Sequence, residues 1–157
     1  MPPTLQFDHE KLDVYKLELR FVTWATELIE ELRSEPRSTV KEVVQQLDRA
    51  SLSSLLNTAE GNGRRKTQQR ARFFDDARGS ATECAACLDA LVAKCAFQPD
   101  RVAEGKAILF RVVSMLSKLV TRFDQTSKTD STVSEDELTY LIRGQTARTF
   151  EDEDDND

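Results

Sequence analysis

The chain has 157 residues, a mass of 17.8 kDa and a formal net charge of −6 at pH 7. That length suits one domain with a core of its own, and five glycines, four prolines and sparse β-branched runs argue against a β-rich fold. Glu151, Asp152, Glu153, Asp154, Asp155 and Asp157 account for the whole net charge, so a neutral body carries an acidic run that repels itself and is expected to be disordered. No segment approaches the ~20 apolar residues needed to cross a bilayer. The first residues, MPPTLQFDHEK, hold no apolar signal-peptide core. These features predict a cytoplasmic protein with no membrane partner.

Apolar spacing predicts a first helix over residues 8–33, with Asp8 as its N-cap. Leu12, Tyr15, Leu19, Val22 and Ile29 repeat at three to four residues, and Leu17, Phe21, Trp24, Leu28 and Leu32 widen the stripe. That is broader than one core face needs, which points to contact with another subunit. Pro36 stops this helix. A second helix starts near Ser38 or Thr39 and carries Val40, Val43, Val44, Leu47, Ala50, Leu55 and Ala59. It is expected to end at Gly61-Asn62-Gly63, where glycine tolerates the left-handed conformation of a helix C-terminus. The third helix follows Arg64-Arg65-Lys66, with Thr67 as a candidate cap. It carries Phe73, Phe74, Ala77, Ala81, Cys84, Leu88, Leu91 and Cys95 and stops before Pro99. The fourth, over residues 100–124, carries Val102, Leu109, Phe110, Val113, Leu116 and Val120.

The expected organisation is a bundle over residues 7–124 and a serine- and threonine-rich linker over 125–133. A short helix over 134–145 follows, opened by the capping box of Ser134 and Glu137, and then an acidic disordered tail over 146–157. Long amphipathic helices with short connections make an all-α, antiparallel up-down-up-down four-helix bundle.

Catalytic chemistry finds little to work with. His9 is the single histidine and lacks an oriented partner. The glycines of AEGNGR follow no strand and precede no GK[ST], so they form no phosphate loop. Cys84 and Cys87 form a CxxC, but mid-helix, whereas redox pairs sit at a helix N-terminus. A zinc site wants four ligands. The three cysteines are therefore expected to be small, metal-free core residues, and the protein is expected to be neither an enzyme nor a cofactor binder.

Two groups of polar residues remain. Arg64, Arg65, Lys66, Arg70 and Arg72 form the one basic cluster and are candidates for phosphate contact with RNA or DNA. A solvated face paired locally to Asp75 and Asp76 is the competing reading, and no stacking aromatics interleave the cluster. Arg49, Asn57, Glu60, Arg78 and Glu83 lie on the second and third helices. In an antiparallel hairpin Arg49, Asn57 and Glu60 are expected to face Arg70, Arg78 and their neighbours. A salt-bridge network fixing helix register is favoured there over a ligand site. Gly79, mid-helix, costs about 1 kcal/mol against alanine and suggests close packing or a special surface.

The stretch QLDRASLSSLLNTAEGNGRRKTQQRARFFDDARGSATE resembles the 23S rRNA intervening-sequence protein family. The resemblance rests on Gln46, Arg49, Ala50, Ser53 or Ser54, Asn57, Ala59, Glu60, Gly61, Gly63, Arg64, Phe73, Ala77, Arg78, Gly79, Ser80 and Glu83, and spans about residues 7 to 124. It implies a four-helix bundle that assembles into homopentameric rings. It also implies a relation to the accessory variability proteins of diversity-generating retroelements, which bind nucleic acid and a reverse transcriptase through a strongly basic surface. The neutral body and acidic tail depart from that branch. Two functions follow as expectations: a nucleic-acid-binding accessory ring associated with RNA or a reverse transcriptase, or a homo-oligomeric protein-interaction scaffold.

Overall fold

The computed structural model describes residues 5–33 and 38–148, with side chains through Thr126. The described residues form four α-helices: α1 (Asp13–Arg33), α2 (Lys41–Gly63), α3 (Thr67–Ala93) and α4 (Pro99–Arg148). Short 3-10 turns, Asp8–Lys11 and Ser38–Val40, precede α1 and α2. No strand occurs among the described residues, so the chain is an all-α bundle. Each helix packs on its sequence neighbours, and α1 closes against α4. Gln46 meets Glu83 while Ser53 meets Ser80, which makes α2 and α3 antiparallel. Lys106 meets Asp89 while Phe123 meets Phe74, which does the same for α3 and α4.

The core runs the length of this arrangement. Phe74, Leu28, Leu47, Leu88, Leu91, Leu116, Val14 and Val112 are fully buried in it. Burying such a side chain contributes about 1.5–3 kcal/mol each. The broad stripe of α1 is consumed inside the chain, because α1 has two neighbours. Phe21, Trp24, Ala25, Leu28 and Ile29 are buried, and Leu12, Leu17 and Leu32 are packed against the same core. Leu19 is the exposed exception on α1. Exposed apolar side chains lie instead at Leu52 and Leu56 of α2 and Phe110 of α4.

Helix ends depart from the sequence expectation in several places. Asp8 opens a 3-10 turn rather than α1. The Phe7 N–H donates to the Glu10 carboxylate, and Leu12, in an extended conformation, breaks the chain before α1 begins at Asp13. Gly61 is not a left-handed cap, and no described glycine has a positive φ. It lies inside α2, where an added Cβ would stand 3.0 Å from Phe73 Cβ and 3.3 Å from the Phe74 ring. Close approach of α3 is what glycine serves there. The cap of α3 is Lys66 rather than Thr67. The linker expected over residues 125–133 is helical, and α4 continues as one helix to Arg148. Residues 125–133 hold no glycine or proline, and Thr126 Oγ1 donates back to the Arg122 carbonyl without breaking the turn. The short helix expected over 134–145 is thus part of α4. Of the acidic tail expected over 146–157, residues 146–148 close α4 and residues 149–157 lie outside the described residues.

The left-handed position belongs to Cys95, with φ of 56° just past the end of α3. The Ala96 N–H donates to the Leu91 carbonyl at 2.9 Å, which closes the turn. Cys95 is exposed, so it is not the core residue on α3 that the stripe suggested. A non-glycine residue pays roughly 1 kcal/mol in this conformation. Cys95→Gly is therefore expected to raise stability by up to ~1 kcal/mol, read as a higher urea midpoint. A lower midpoint would mean that the cysteine side chain holds the turn.

Candidate nucleic-acid interface and the polar seam between α2 and α3

Small residues let α2 and α3 approach closely. Ala50, Ser54, Ala77 and Ala81 are buried between them, and Ser54 Oγ reaches the Ala77 carbonyl at 3.1 Å. Polar residues line the outer edge of this seam. Gln46 Nε2 donates to Glu83 Oε1 at 2.6 Å, and Arg49 Nη2 donates to Gln46 Oε1 at 2.8 Å. Ser53 and Ser80 share a hydrogen bond of 2.9 Å, and Asn57 Nδ2 donates to Ser53 Oγ at 3.2 Å.

The charged pairs are arranged differently from the expected network. Glu60 pairs with Arg64 one turn along α2, and Arg78 pairs with Asp75 at 2.7 Å within α3. Glu60 and Arg78 side chains are 47 % and 43 % exposed, so neither is a buried charge that a partner must neutralise. Such surface pairs contribute about 0–1 kcal/mol. The links that cross the hairpin come from neutral or mixed pairs: Gln46 with Glu83, Ser53 with Ser80, and Arg70 Nη2 with Asn62 Oδ1 at 3.1 Å. Of the five residues expected in a network, Glu83 joins these links, Arg49 and Asn57 each support one from within α2, and Glu60 and Arg78 pair locally in sequence.

The basic cluster sits at the turn from α2 into α3, and the fold divides it. Arg64 lies over the Phe73 ring at 4.8 Å while holding Glu60. Arg70 lies over the Phe123 ring of α4 at 4.6 Å while holding Asn62. These two are braced by cation–π contact and a polar partner. Arg65, Lys66 and Arg72 are exposed and make no ion pair or hydrogen bond among the described side chains. A cavity of about 540 Å³ opens beside them, lined by Gln68, Gln69, Arg72, Asp75, Val120 and Asp124. Arg72 is the one cation of that lining.

The cysteines lie apart from this surface chemistry. Cys84 is fully buried and burial pushes its thiol up to about 12. Burial also raises Cys87, with Glu83 adding to the effect. Both are held as thiols, the unreactive form. Among the described residues no group of three or more His, Cys, Asp or Glu is placed to hold a metal ion. No described helix is long and apolar enough to cross a membrane.

One buried polar site escaped the sequence reading. Glu18 of α1 is 2 % exposed, and its carboxyl is hydrogen-bonded to the Ser54 and Thr58 hydroxyls of α2. A signal existed: Glu18 stands four residues after Val14, three before Phe21 and seven before Ala25, which are all core positions of α1. An acidic residue inside an apolar stripe is the mark of a buried carboxyl.

No curated protein sequence matches the chain. The family model described as 23S rRNA-intervening sequence protein matches residues 10–118, which covers α1, α2, α3, their connections and α4 as far as Lys118. The chain belongs to the 23S rRNA-intervening sequence protein family.

Proposed function

We propose that the protein is a non-enzymatic, homo-oligomeric accessory protein that binds nucleic acid phosphates at the turn between α2 and α3. The observation that carries this reading is the set of three exposed cations, Arg65, Lys66 and Arg72, unpaired among the described residues and presented beside the braced Arg64 and Arg70. Free cations at a helix junction suit backbone contact rather than base reading. Repetition of the patch around an oligomer, a pentamer as the family resemblance implies, would add avidity to a weak site. RNA, or a nucleoprotein containing a reverse transcriptase, is the partner class that follows.

A second reading is a homo-oligomeric scaffold without nucleic acid. Its support is Leu52 and Leu56, 44 % and 63 % exposed and one turn apart on α2. Gly79 of α3 has no atom within 4 Å of an added Cβ, so nothing inside the chain requires glycine there.

Fluorescence anisotropy with labelled RNA and duplex DNA at two salt concentrations separates the two. The first reading expects binding that falls steeply with salt, because neutralised phosphates release counterions. Replacing Arg65, Lys66 and Arg72 together by alanine should weaken binding and lower the salt slope by roughly two to three, with the melting temperature unchanged. Deleting residues 151–157 should strengthen binding by removing six negative charges. Absence of binding at low salt, with light scattering still giving several times 17.8 kDa, would reject the first reading in favour of the scaffold.

A further inference from the structure

Glu18 Oε1 lies 2.7 Å from Ser54 Oγ and 2.8 Å from Thr58 Oγ1. Glu18 Oε2 is buried and has no hydrogen-bond partner among the described residues. Ser54 Oγ also lies 3.1 Å from the Ala77 carbonyl oxygen. A serine hydroxyl has a single hydrogen, so it can donate to only one of these acceptors. With Glu18 ionised, Ser54 either gives up Ala77 or turns its lone pairs toward a negative oxygen. The second carboxylate oxygen would meanwhile stay desolvated without a donor, which is costly. With a proton on Oε1 the chain of donors closes. Glu18 donates to Ser54, Ser54 donates to Ala77, and Thr58 donates to Glu18. Oε2 is then the carbonyl oxygen of a neutral acid, far cheaper to leave unpaired.

We infer that Glu18 is held as a neutral carboxylic acid that clasps α1 to the α2–α3 hairpin through Ser54 and the Ala77 carbonyl, and that losing its proton loosens this clasp.

The surroundings offer no compensating charge. From α2 come two hydroxyls, and from α3 the Ala77 carbonyl and the Cys84 thiol, which burial keeps protonated. The inward residues of α4, Ile108, Leu109, Val112 and Leu116, are apolar, as are Val14, Phe21 and Ala25 on α1 itself. Desolvation accordingly pushes the Glu18 carboxyl up to about 7, against a smaller pull from Ser54 and Thr58. The single histidine, His9, stacks near Phe7 and Tyr15 at the turn before α1. Its replacement is the control for imidazole titration.

The sign follows from proton counting. Between the ordinary value of 4.5 and about 7 the folded chain binds more protons at this site than the unfolded chain. Stability from Glu18 therefore falls as pH rises through that window and is level above it. The interval corresponds to roughly a few-hundredfold rise in the unfolding constant.

Urea unfolding of the full chain, Glu18→Gln and His9→Asn between about pH 5 and 8 tests the clasp. The unfolding constant of the wild-type chain should rise by about a hundredfold more than that of Glu18→Gln, while His9→Asn keeps the wild-type profile. Parallel profiles for wild type and Glu18→Gln, or loss of the slope in His9→Asn, would overturn the inference. Should Glu18→Gln fail to fold, carbon-13 NMR of the glutamate-labelled full chain decides. One carboxyl titrating near neutrality supports the clasp, and all carboxyls titrating below about pH 5 refute it.

Discussion

Gly105→Ala should unfold this bundle far more readily than its single methyl group suggests. Gly105 is buried on α4 against Trp24 of α1. An added Cβ would stand 2.8 Å from Trp24 Cε3 and closer still to Cζ3 and Cη2. The ring has nowhere to go. It is 7 % exposed and stacks on Phe21 at a centroid distance of 5.7 Å. The Arg101 guanidinium covers it at 5.6 Å and is itself held by Glu31. Alanine would return about 1 kcal/mol of helix propensity, but overpacking a rigid contact costs about 1–3 kcal/mol and sometimes more. A net loss of about 2 kcal/mol is expected, at the upper end of that balance, since backbone as well as ring must shift. Gly79→Ala is the matched contrast. Its Cβ would meet open space, so the isolated chain should gain up to ~1 kcal/mol from propensity alone. Chemical denaturation of both variants should move the midpoints in opposite directions. Equal midpoints would show that α1 and α4 are not in the contact described.

Phe74→Ala is expected to cost about 3–5 kcal/mol. Phe74 is 1 % exposed and joins three helices at the basic end of the bundle. It packs beside Gly61 of α2 and stacks on Phe123 of α4 at 5.7 Å. Phe123 in turn supports Arg70. The substitution should therefore leave a cavity and release one of the two braced arginines. Phe73→Ala, at a half-buried position beneath Arg64, should cost markedly less. Urea midpoints for the pair measure the difference. Similar losses in the two variants would contradict the assignment of Phe74 to the core.

Much of this molecule was readable before any coordinates. Apolar spacing identified α1, α2, α3 and the packed part of α4, because an amphipathic helix writes its buried face into residues three and four apart. The basic cluster was legible for the same reason of locality: Arg64 to Arg72 are adjacent in the chain. What could not be read was which of those cations is free. Arg70 is held by Phe123, a residue of another helix, and Arg64 by Phe73 on the far side of the turn. The charged network failed for a related reason. Glu60 and Arg78 found partners three or four residues away in the chain, so no cross-hairpin ion pair formed. Contacts across the seam went instead to the neutral pair Ser53 with Ser80 and to mixed pairs such as Gln46 with Glu83.

Sequence alone determined the helices, the family and the place of the basic turn, since each of these depends on residues near one another in the chain. Tertiary structure alone decided what each polar or small residue meets. Glu18 became a buried acid because Ser54 and Thr58 arrive from α2. Gly105 became indispensable because Trp24 arrives from α1, and Gly79 stayed open because none of the described residues arrives there. Burial and hydrogen-bond supply are properties of the neighbours, and in a bundle many of those neighbours lie on helices distant in sequence.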